Sequence, residues 1–155
     1  MNETIPESKA EAAAIRRLAY SDLPSVISIE RRSFPAPWSL AMFVLELSKP
    51  SGICLAATAE DELLAYLICS RYDQVWHLMN VAVSPERRRA GVASRLIRHL
   101  IEETGAGSGL PITLEVRVSN HEAIAMYEGL GFRSAGVRPR YYQDNSEDAL
   151  IMWLD

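Results

Sequence analysis

Three apolar stretches near the middle of the chain are each long enough for a β-strand, and short polar turns separate them. They cover residues 52–59, 63–71 and 75–83. Apolar runs of this length that are joined by short polar turns are typical of hairpins. The pattern therefore predicts an antiparallel meander of three strands.

Two helices are predicted ahead of this meander, after a first strand at residues 15–19. Serine is a good N-cap residue, so the helices are expected to begin at Ser21 and at Ser39. The segment 34–38 between them contains two prolines. Because proline holds the preceding residue extended, this segment is predicted to be non-helical.

A basic loop and a strongly periodic helix follow the third strand of the meander. Ser84-Pro85 stops the strand, and Gly91 begins the helix. Its apolar residues recur with the 3.6-residue period of one helix face. They are Leu96, Ile97, Leu100 and Ile101. The first backbone N–H groups of a helix lack intrahelical partners and lie at the positive end of its dipole, so the loop is a candidate phosphate or pyrophosphate site.

Three consecutive arginines in this loop, Arg87, Arg88 and Arg89, are consistent with an anion site. A solvated surface loop is the alternative that these residues leave open. The sequence contains neither Gly-x-x-x-x-Gly-Lys-Ser/Thr nor a Gly-x-Gly-x-x-Gly that closes a first strand. The two most familiar phosphate-binding motifs are therefore excluded.

The second half of the chain is predicted to add three strands and one helix. Residues 112–118 form a strand that the preceding crossover helix places parallel to its predecessor. Ser119 and Glu122 have the spacing of a capping box at the start of the next helix. The strands 132–137 and 149–154 then close the sheet.

Length and composition indicate one globular domain of 155 residues, with 48% hydrophobic residues and its own core. Residues 1–13 are predicted to be a flexible tail and residues 14–155 the domain. The net charge of −4 speaks against a broad nucleic-acid-binding face. No apolar run approaches the ~18–20 residues of a membrane span. The polar N-terminus is unlike a secretory signal, so we expect a cytoplasmic protein.

The cysteines and histidines do not suggest a metal site. Cys54 and Cys69 stand alone in apolar surroundings and are expected to be buried, reduced thiols without an activating base. His77, His99 and His121 share no metal-binding spacing. No metal is therefore predicted, and neither is an acyl-enzyme intermediate.

The basic loop also resembles a known family motif. Arg88-Arg89-Ala90-Gly91-Val92-Ala93 fits the Arg/Gln-x-x-Gly-x-Gly/Ala signature of the GCN5-related N-acetyltransferases (GNAT), between a strand and a helix as that family requires. The stretches 114–120 and 125–132 resemble the family's later motifs. In this form they are most similar to its ribosomal-protein-alanine N-acetyltransferase branch. The likeness extends from about Ile15 to Leu154.

The resemblance implies a fold and a cosubstrate. The fold is a single-domain α/β fold, a mixed sheet of six or seven strands flanked by about four helices. Its first half is antiparallel, and a parallel pair of strands splays apart at the cofactor cleft. The cosubstrate is acetyl-CoA, without a metal. The implied cofactor-binding residues are Val81, Ala82, Val83, Arg88, Arg89, Ala90, Gly91, Val92, Ala93, Ser94, Asn120 and Tyr127.

Glu115 and Tyr127 are the candidate catalytic residues. Glu115 shares one face of its predicted strand with Arg117, so an ion pair between them is the simplest interpretation of the spacing. The resemblance instead implies a general base that acts through an ordered water. Tyr127 lies on the apolar face of its helix, where it could simply pack. The resemblance implies that its hydroxyl is the acid that protonates the thiolate leaving group.

The acceptor side rests on the resemblance as well. Aromatic residues of the segment 34–38 and of the loop before the last strand are implied to contact the substrate, although packing is the alternative for each. They are Phe34, Trp38, Tyr141 and Tyr142. The implied reaction is acetylation of a protein's N-terminal α-amine, that of an alanine-starting small-subunit ribosomal protein. The alternatives are a lysine or small-molecule amine as acceptor, or a non-catalytic acyl-CoA sensor.

Overall fold

The structure is a computed structural model that describes residues 13–107 and 109–155. The predicted flexible tail therefore lies outside the described residues, except for its last residue. Ala13 is buried, and its carbonyl accepts a hydrogen bond from Arg95 at 2.9 Å.

A seven-stranded mixed sheet forms the centre of the domain, as predicted. Its strands are β1 (Ala14–Arg17), β2 (Ile53–Ala59), β3 (Glu62–Tyr72), β4 (Val75–Val83), β5 (Ile112–Arg117), β6 (Arg133–Arg138) and β7 (Ala149–Leu154). They lie in the order β1-β2-β3-β4-β5-β7-β6. The first four strands are antiparallel neighbours, which confirms the predicted meander. Glu60 and Asp61 both adopt positive φ, which suits the tight turn from β2 to β3.

Four α-helices flank the sheet within residues 13–107 and 109–155. They are α1 (Leu23–Ser33), α2 (Leu40–Ser48), α3 (Val92–Thr104) and α4 (His121–Gly129). None of these helices in the described part of the chain has the length and apolar character that a membrane span requires.

Two predicted helix caps are wrong and one is confirmed. Ser39 caps α2, because its hydroxyl accepts the Met42 N–H at 3.3 Å. Ser21 does not begin α1: it lies in a 3₁₀ turn, and α1 starts after Asp22. The predicted capping box at α4 does not form either, because Asn120 is the N-cap and accepts the Ala123 N–H at 3.2 Å.

The two faces of the sheet carry separate apolar cores. One face packs against α3 and α4, and its core includes Leu96, Leu100 and Tyr127. The other face packs against α1 and α2, and its core includes Val26 and Phe43. The predicted stripe of α3 is confirmed, since three of its four residues are fully buried and Ile101 packs at its edge.

The parallel pair β4–β5 separates soon after it forms. Its ladder joins Trp76 to Ile112 and His77 to Thr113 and then ends, whereas β5 pairs with β7 along its whole length. Just beyond His77, β4 carries one extra residue relative to β3, because Ile68 pairs with Asn80 and Cys69 pairs with Leu78. This bulge at residue 79 bends β4 where it leaves β5, which opens the predicted splay.

Candidate active site

The N-terminus of α3 has the features of an anion-binding cradle. Gly91 is its N-cap at φ +78°, and no side chain caps the helix there. A Cβ at Gly91 would meet no atom within 4 Å, so the residue faces open space. The first helical N–H groups therefore lack acceptors from the helix itself. A helix N-terminus of this kind can accept an anionic group.

The three arginines of the loop have different partners. Arg87 pairs with Glu62 at 3.0 Å. Arg88 donates to the Val83 carbonyl at 3.2 Å and to the Ser33 hydroxyl at 3.0 Å, so it ties the loop to the end of α1. Arg89 pairs at 3.0 Å with Glu122 of α4, and both side chains are 79% exposed.

The Arg89–Glu122 pair spans the two sides of the splay, because Arg89 follows β4 and Glu122 follows β5. The predicted cofactor-binding strand residues Val81, Ala82 and Val83 lie on the diverging part of β4. Asn120 follows β5, and its side-chain oxygen caps α4.

Glu115 lies in the wall of the splay and is largely buried, with 9% of its side chain exposed. His77 Nε2 donates to its Oε1 at 2.8 Å, and Arg138 Nε lies 3.6 Å from its Oε2. Burial alone would raise the pKa of the Glu115 carboxyl. The His77 hydrogen bond and the charges of His77 and Arg138 outweigh burial, and the pKa lies below its ordinary value. Glu115 is therefore a carboxylate at neutral pH.

The alternative interpretation of Glu115, an ion pair with Arg117, is wrong. Arg117 instead pairs with Asp144 at 3.0 Å and with Glu147 at 3.3 Å. Its guanidinium also lies 4.0 Å from the ring centroid of Tyr142. Arg117 thus anchors the loop between β6 and β7.

Tyr141 and Tyr142 lie in this anchored loop, with their rings edge to face at 5.1 Å. Partial burial, together with the nearby Glu115 charge, raises the pKa of both hydroxyls, that of Tyr142 to about 12. Tyr141 is 46% exposed, whereas Tyr142 is half-buried under Arg117. The loop therefore brings one exposed aromatic side chain near the carboxylate.

Tyr127 belongs to the apolar core on the face of the sheet that packs against α3 and α4. The same core contains Leu114 and Val116, the neighbours of Glu115, whose side chains point away from that of Glu115. Tyr127 is 6% exposed, and its ring lies edge to face with Phe132 at 5.6 Å. Burial raises the pKa of the Tyr127 hydroxyl, so this group is a proton donor at neutral pH.

A cleft of about 390 Å³ opens beside Glu115. His77, Thr113, Arg138 and Trp153 are among the residues that line it. The predicted acceptor residues Phe34 and Trp38 do not line this cleft and lie in the segment between α1 and α2. Phe34 is 37% exposed, and Trp38 packs on Phe43 with 5.0 Å between ring centroids.

Sequence reasoning missed His77 and Arg138 as partners of Glu115. His77 pairs with Thr113 in the short β4–β5 ladder, and this register brings it beside Glu115. A parallel register cannot be read from the sequence. Arg138 ends β6, which lies two strands away from β5 because β7 is inserted between them, and its side chain reaches Glu115 across β7. The sequence does not show this strand order.

The cysteines are buried and free, as predicted. Burial raises the pKa of the Cys54 thiol to about 11, so it is protonated and a poor nucleophile. Among the described residues, no group of three or more histidine, cysteine, aspartate or glutamate side chains is placed to hold a metal ion.

Comparisons with known proteins identify relatives of this chain. A model of the acetyltransferase (GNAT) family matches residues 23–132. The [ribosomal protein bS18]-alanine N-acetyltransferase of Salmonella typhimurium is 38% identical over 139 residues, which are 88% of this chain and 93% of that protein.

Two solved structures have the same fold over nearly the whole chain. The crystal structure of the ribosomal-protein-S18-alanine N-acetyltransferase from Escherichia coli aligns with a TM-score of 0.82 at 36% identity, over 92% of each chain. Ard1 from Thermoplasma volcanium aligns with a TM-score of 0.82 at 30% identity, over 92% of this chain and 96% of that one.

Proposed function

The chain belongs to the acetyltransferase (GNAT) family and is an acetyl-CoA-dependent N-acetyltransferase, and on that premise we propose that it acetylates the N-terminal α-amine of a protein. The proposed acceptor is the N-terminal alanine of a small-subunit ribosomal protein. The names of the relatives that match most of the chain support this acceptor. A cytoplasmic location follows from the sequence as a prediction.

In the proposed reaction Glu115 accepts a proton from the acceptor ammonium through a water molecule. The carboxylate is ionised at neutral pH and lies in the cleft beside the splay, with His77 bonded to it. An α-amine titrates at about 7.7–8.0, against about 10.4 for a lysine side chain. A carboxylate and a water can complete so modest a deprotonation, whereas a lysine acceptor would demand far more.

The free amine then attacks the acetyl carbonyl and forms the carbon–nitrogen bond. As the carbon–sulfur bond breaks, the nitrogen loses its second proton through the same water, and Glu115 passes the protons that it accepts to solvent. Tyr127 donates its hydroxyl proton to the departing thiolate and regains a proton from solvent. Burial keeps the phenol protonated at neutral pH, so its hydroxyl has a proton to donate as the sulfur leaves. Direct attack needs no enzyme nucleophile, in agreement with the buried, protonated Cys54.

The cosubstrate is proposed to lie along the splay. The backbone N–H groups of residues 91–94 at the start of α3 would hold the diphosphate, with Arg88 and Arg89 beside them. The backbone of Val81–Val83 would accompany the pantetheine arm, and a backbone N–H there would polarise the thioester oxygen. Asn120 would contact the same arm. Phe34, Trp38, Tyr141 and Tyr142 are proposed to contact the acceptor.

One observation carries the proposal: a buried carboxylate, held by His77 at 2.8 Å, in the wall where two parallel strands separate. The test is mass spectrometry of a peptide panel incubated with enzyme and acetyl-CoA. Each peptide starts with alanine, contains one internal lysine and is supplied with a free or a blocked N-terminus. We expect acetylation of the free α-amine only. Acetylation of the lysine in the blocked peptides would refute the proposed acceptor.

A further inference from the structure

Glu30 is a buried carboxyl that the proposed reaction does not use. It lies in the last turns of α1 and is only 1% exposed. Its Oε1 accepts hydrogen bonds from the Tyr66 hydroxyl and, at 2.9 Å, from Asn80 Nδ2. Its Oε2 accepts the backbone N–H of Trp38 at 2.9 Å. A buried carboxyl is costly unless donors surround it, and here three donors from different elements converge on it.

Both ends of the segment 34–38 are attached to this one residue. The Phe34 N–H donates to the backbone carbonyl of Glu30 at 3.1 Å, and the Trp38 N–H donates to its side chain. The segment contains two prolines and has no regular secondary structure of its own. Glu30 therefore closes it into a loop and fixes where its aromatic side chains lie.

The other oxygen of Glu30 attaches the same loop to β4, the strand that is proposed to accompany the pantetheine arm. Asn80 lies on β4 immediately after the bulge, three residues beyond the end of the β4–β5 ladder at His77. Asn80 is 8% exposed, so its contact with Glu30 is shielded from water. Burial, followed by the bond to Glu30, raises the pKa of Tyr66, which stays a donor. One carboxyl thus spans the distance between the 34–38 loop and the diverging part of β4.

We propose that Glu30 is a positioning residue that sets the 34–38 loop relative to β4, and so sets the acceptor amine relative to the thioester. It touches neither substrate and acts through Trp38 and Asn80. The proposal rests on the proposed function, in which this loop contacts the acceptor. A hydrophobic side chain of similar size could fill the site at less cost in desolvation, but it could not join the two elements.

The test uses three variants and a matched control. Glu30→Ala removes every side-chain contact, Glu30→Asp shortens the reach by one methylene, and Glu30→Gln keeps the length and one acceptor oxygen. The control is Glu46→Gln, because Glu46 is also a buried glutamate (6% exposed) in the same helical layer. Its side chain bonds to Lys49, not to the 34–38 loop.

The first arm measures hydrogen exchange at the Trp38 amide, which needs no activity. We expect exchange to accelerate about tenfold or more in Glu30→Ala and Glu30→Asp, less in Glu30→Gln, and not at all in Glu46→Gln. Unchanged protection in folded Glu30→Ala would overturn the proposal. If that variant does not fold, Glu30→Asp decides the question in the same way.

The second arm measures steady-state kinetics with an alanine-starting peptide. We expect kcat/KM for the peptide to fall about 10- to 100-fold in Glu30→Ala while the KM for acetyl-CoA stays unchanged, with partial recovery in Glu30→Gln. A merely structural role would lower Tm and leave the peptide kcat/KM of the folded enzyme intact, which would overturn the proposal. A parent enzyme that acetylates no peptide would refute the proposed function alone, since the exchange arm still decides how the loop is held.

Discussion

Replacing Glu115 with glutamine removes the proposed base and preserves its shape. The amide oxygen can still accept a hydrogen bond from the His77 N–H, which in the parent enzyme donates to Glu115 Oε1 at 2.8 Å. The change therefore removes the charge and leaves the wall of the cleft in place. Positioned general bases contribute about 10²- to 10⁴-fold to rate. Because Glu115 works through a water in the proposed reaction, we expect kcat with an alanine-starting peptide to fall about 100-fold at pH 7, equivalent to about 2.7 kcal/mol.

The size of this defect should depend on pH. An α-amine of pKa about 7.8 is roughly one-seventh free base at pH 7 and almost entirely free base at pH 9. The amine is then already deprotonated, so the defect should shrink by about sevenfold between these pH values. The rest of the defect reflects the second nitrogen proton, which must be removed at any pH. Glu115 itself does not titrate in this range, because its pKa is lowered from an ordinary value of 4.5.

The assay follows thiol release against pH for the parent, Glu115→Gln and Glu103→Gln. Glu103 is an exposed carboxylate on α3, remote from the cleft, and its variant should match the parent. A Glu115→Gln enzyme as fast as the parent at pH 7 would refute the base assignment. A defect of the same size at pH 7 and pH 9 would show that Glu115 orients the substrate and does not accept its proton.

Three further variants address the other parts of the site. Tyr127→Phe should lower kcat about 10- to 100-fold with an unchanged KM for acetyl-CoA, as measured by thiol release, because only the proton donor is lost; an unaffected kcat would contradict the acid role. Gly91→Ala forces alanine to φ +78°, so it should cost about 1 kcal/mol of folding free energy, measured by thermal melts. It should also weaken the binding of coenzyme A, measured by calorimetric titration. The control Gly129→Ala, at a helical position with open space, should have neither effect. His77→Leu removes the hydrogen bond that lowers the pKa of Glu115, so this pKa should rise. The acid limb of the kcat/KM profile against pH should then move to higher pH. An unmoved limb would show that Arg138 alone keeps the pKa of Glu115 low.

The order and type of the elements could be predicted from the sequence because local patterns determine them. The hairpins, the periodic helix after Gly91 and the parallel strand after it all follow from apolar spacing and turn residues. The errors concern caps, where several residues compete for the same N–H groups. Asn120 prevails over Ser119 at α4, and the Ser119 N–H instead donates to Glu147 in a distant loop.

The partners of the candidate catalytic residues could not be predicted, because they depend on register and strand order. Glu115 and Arg117 share a strand face, but Arg117 pairs with two loop carboxylates that lie 27 and 30 residues further along the chain, Asp144 and Glu147. His77 and Arg138 reach Glu115 from a parallel neighbour and from a strand beyond β7. The role of Glu30 could not be predicted from the sequence either, because its hydrogen-bond donors come from three separate segments of the chain.

A crystal structure with coenzyme A covalently joined to the α-nitrogen of an alanine-starting peptide would examine the whole proposed reaction at once. We expect the diphosphate against the first turn of α3 at Gly91 and the sulfur between β4 and β5. The Tyr127 hydroxyl should lie within hydrogen-bond distance of the sulfur, and one water should bridge the peptide nitrogen to Glu115. A conjugate whose peptide nitrogen lies away from Glu115, or whose sulfur is out of reach of Tyr127, would contradict the proposed transfer.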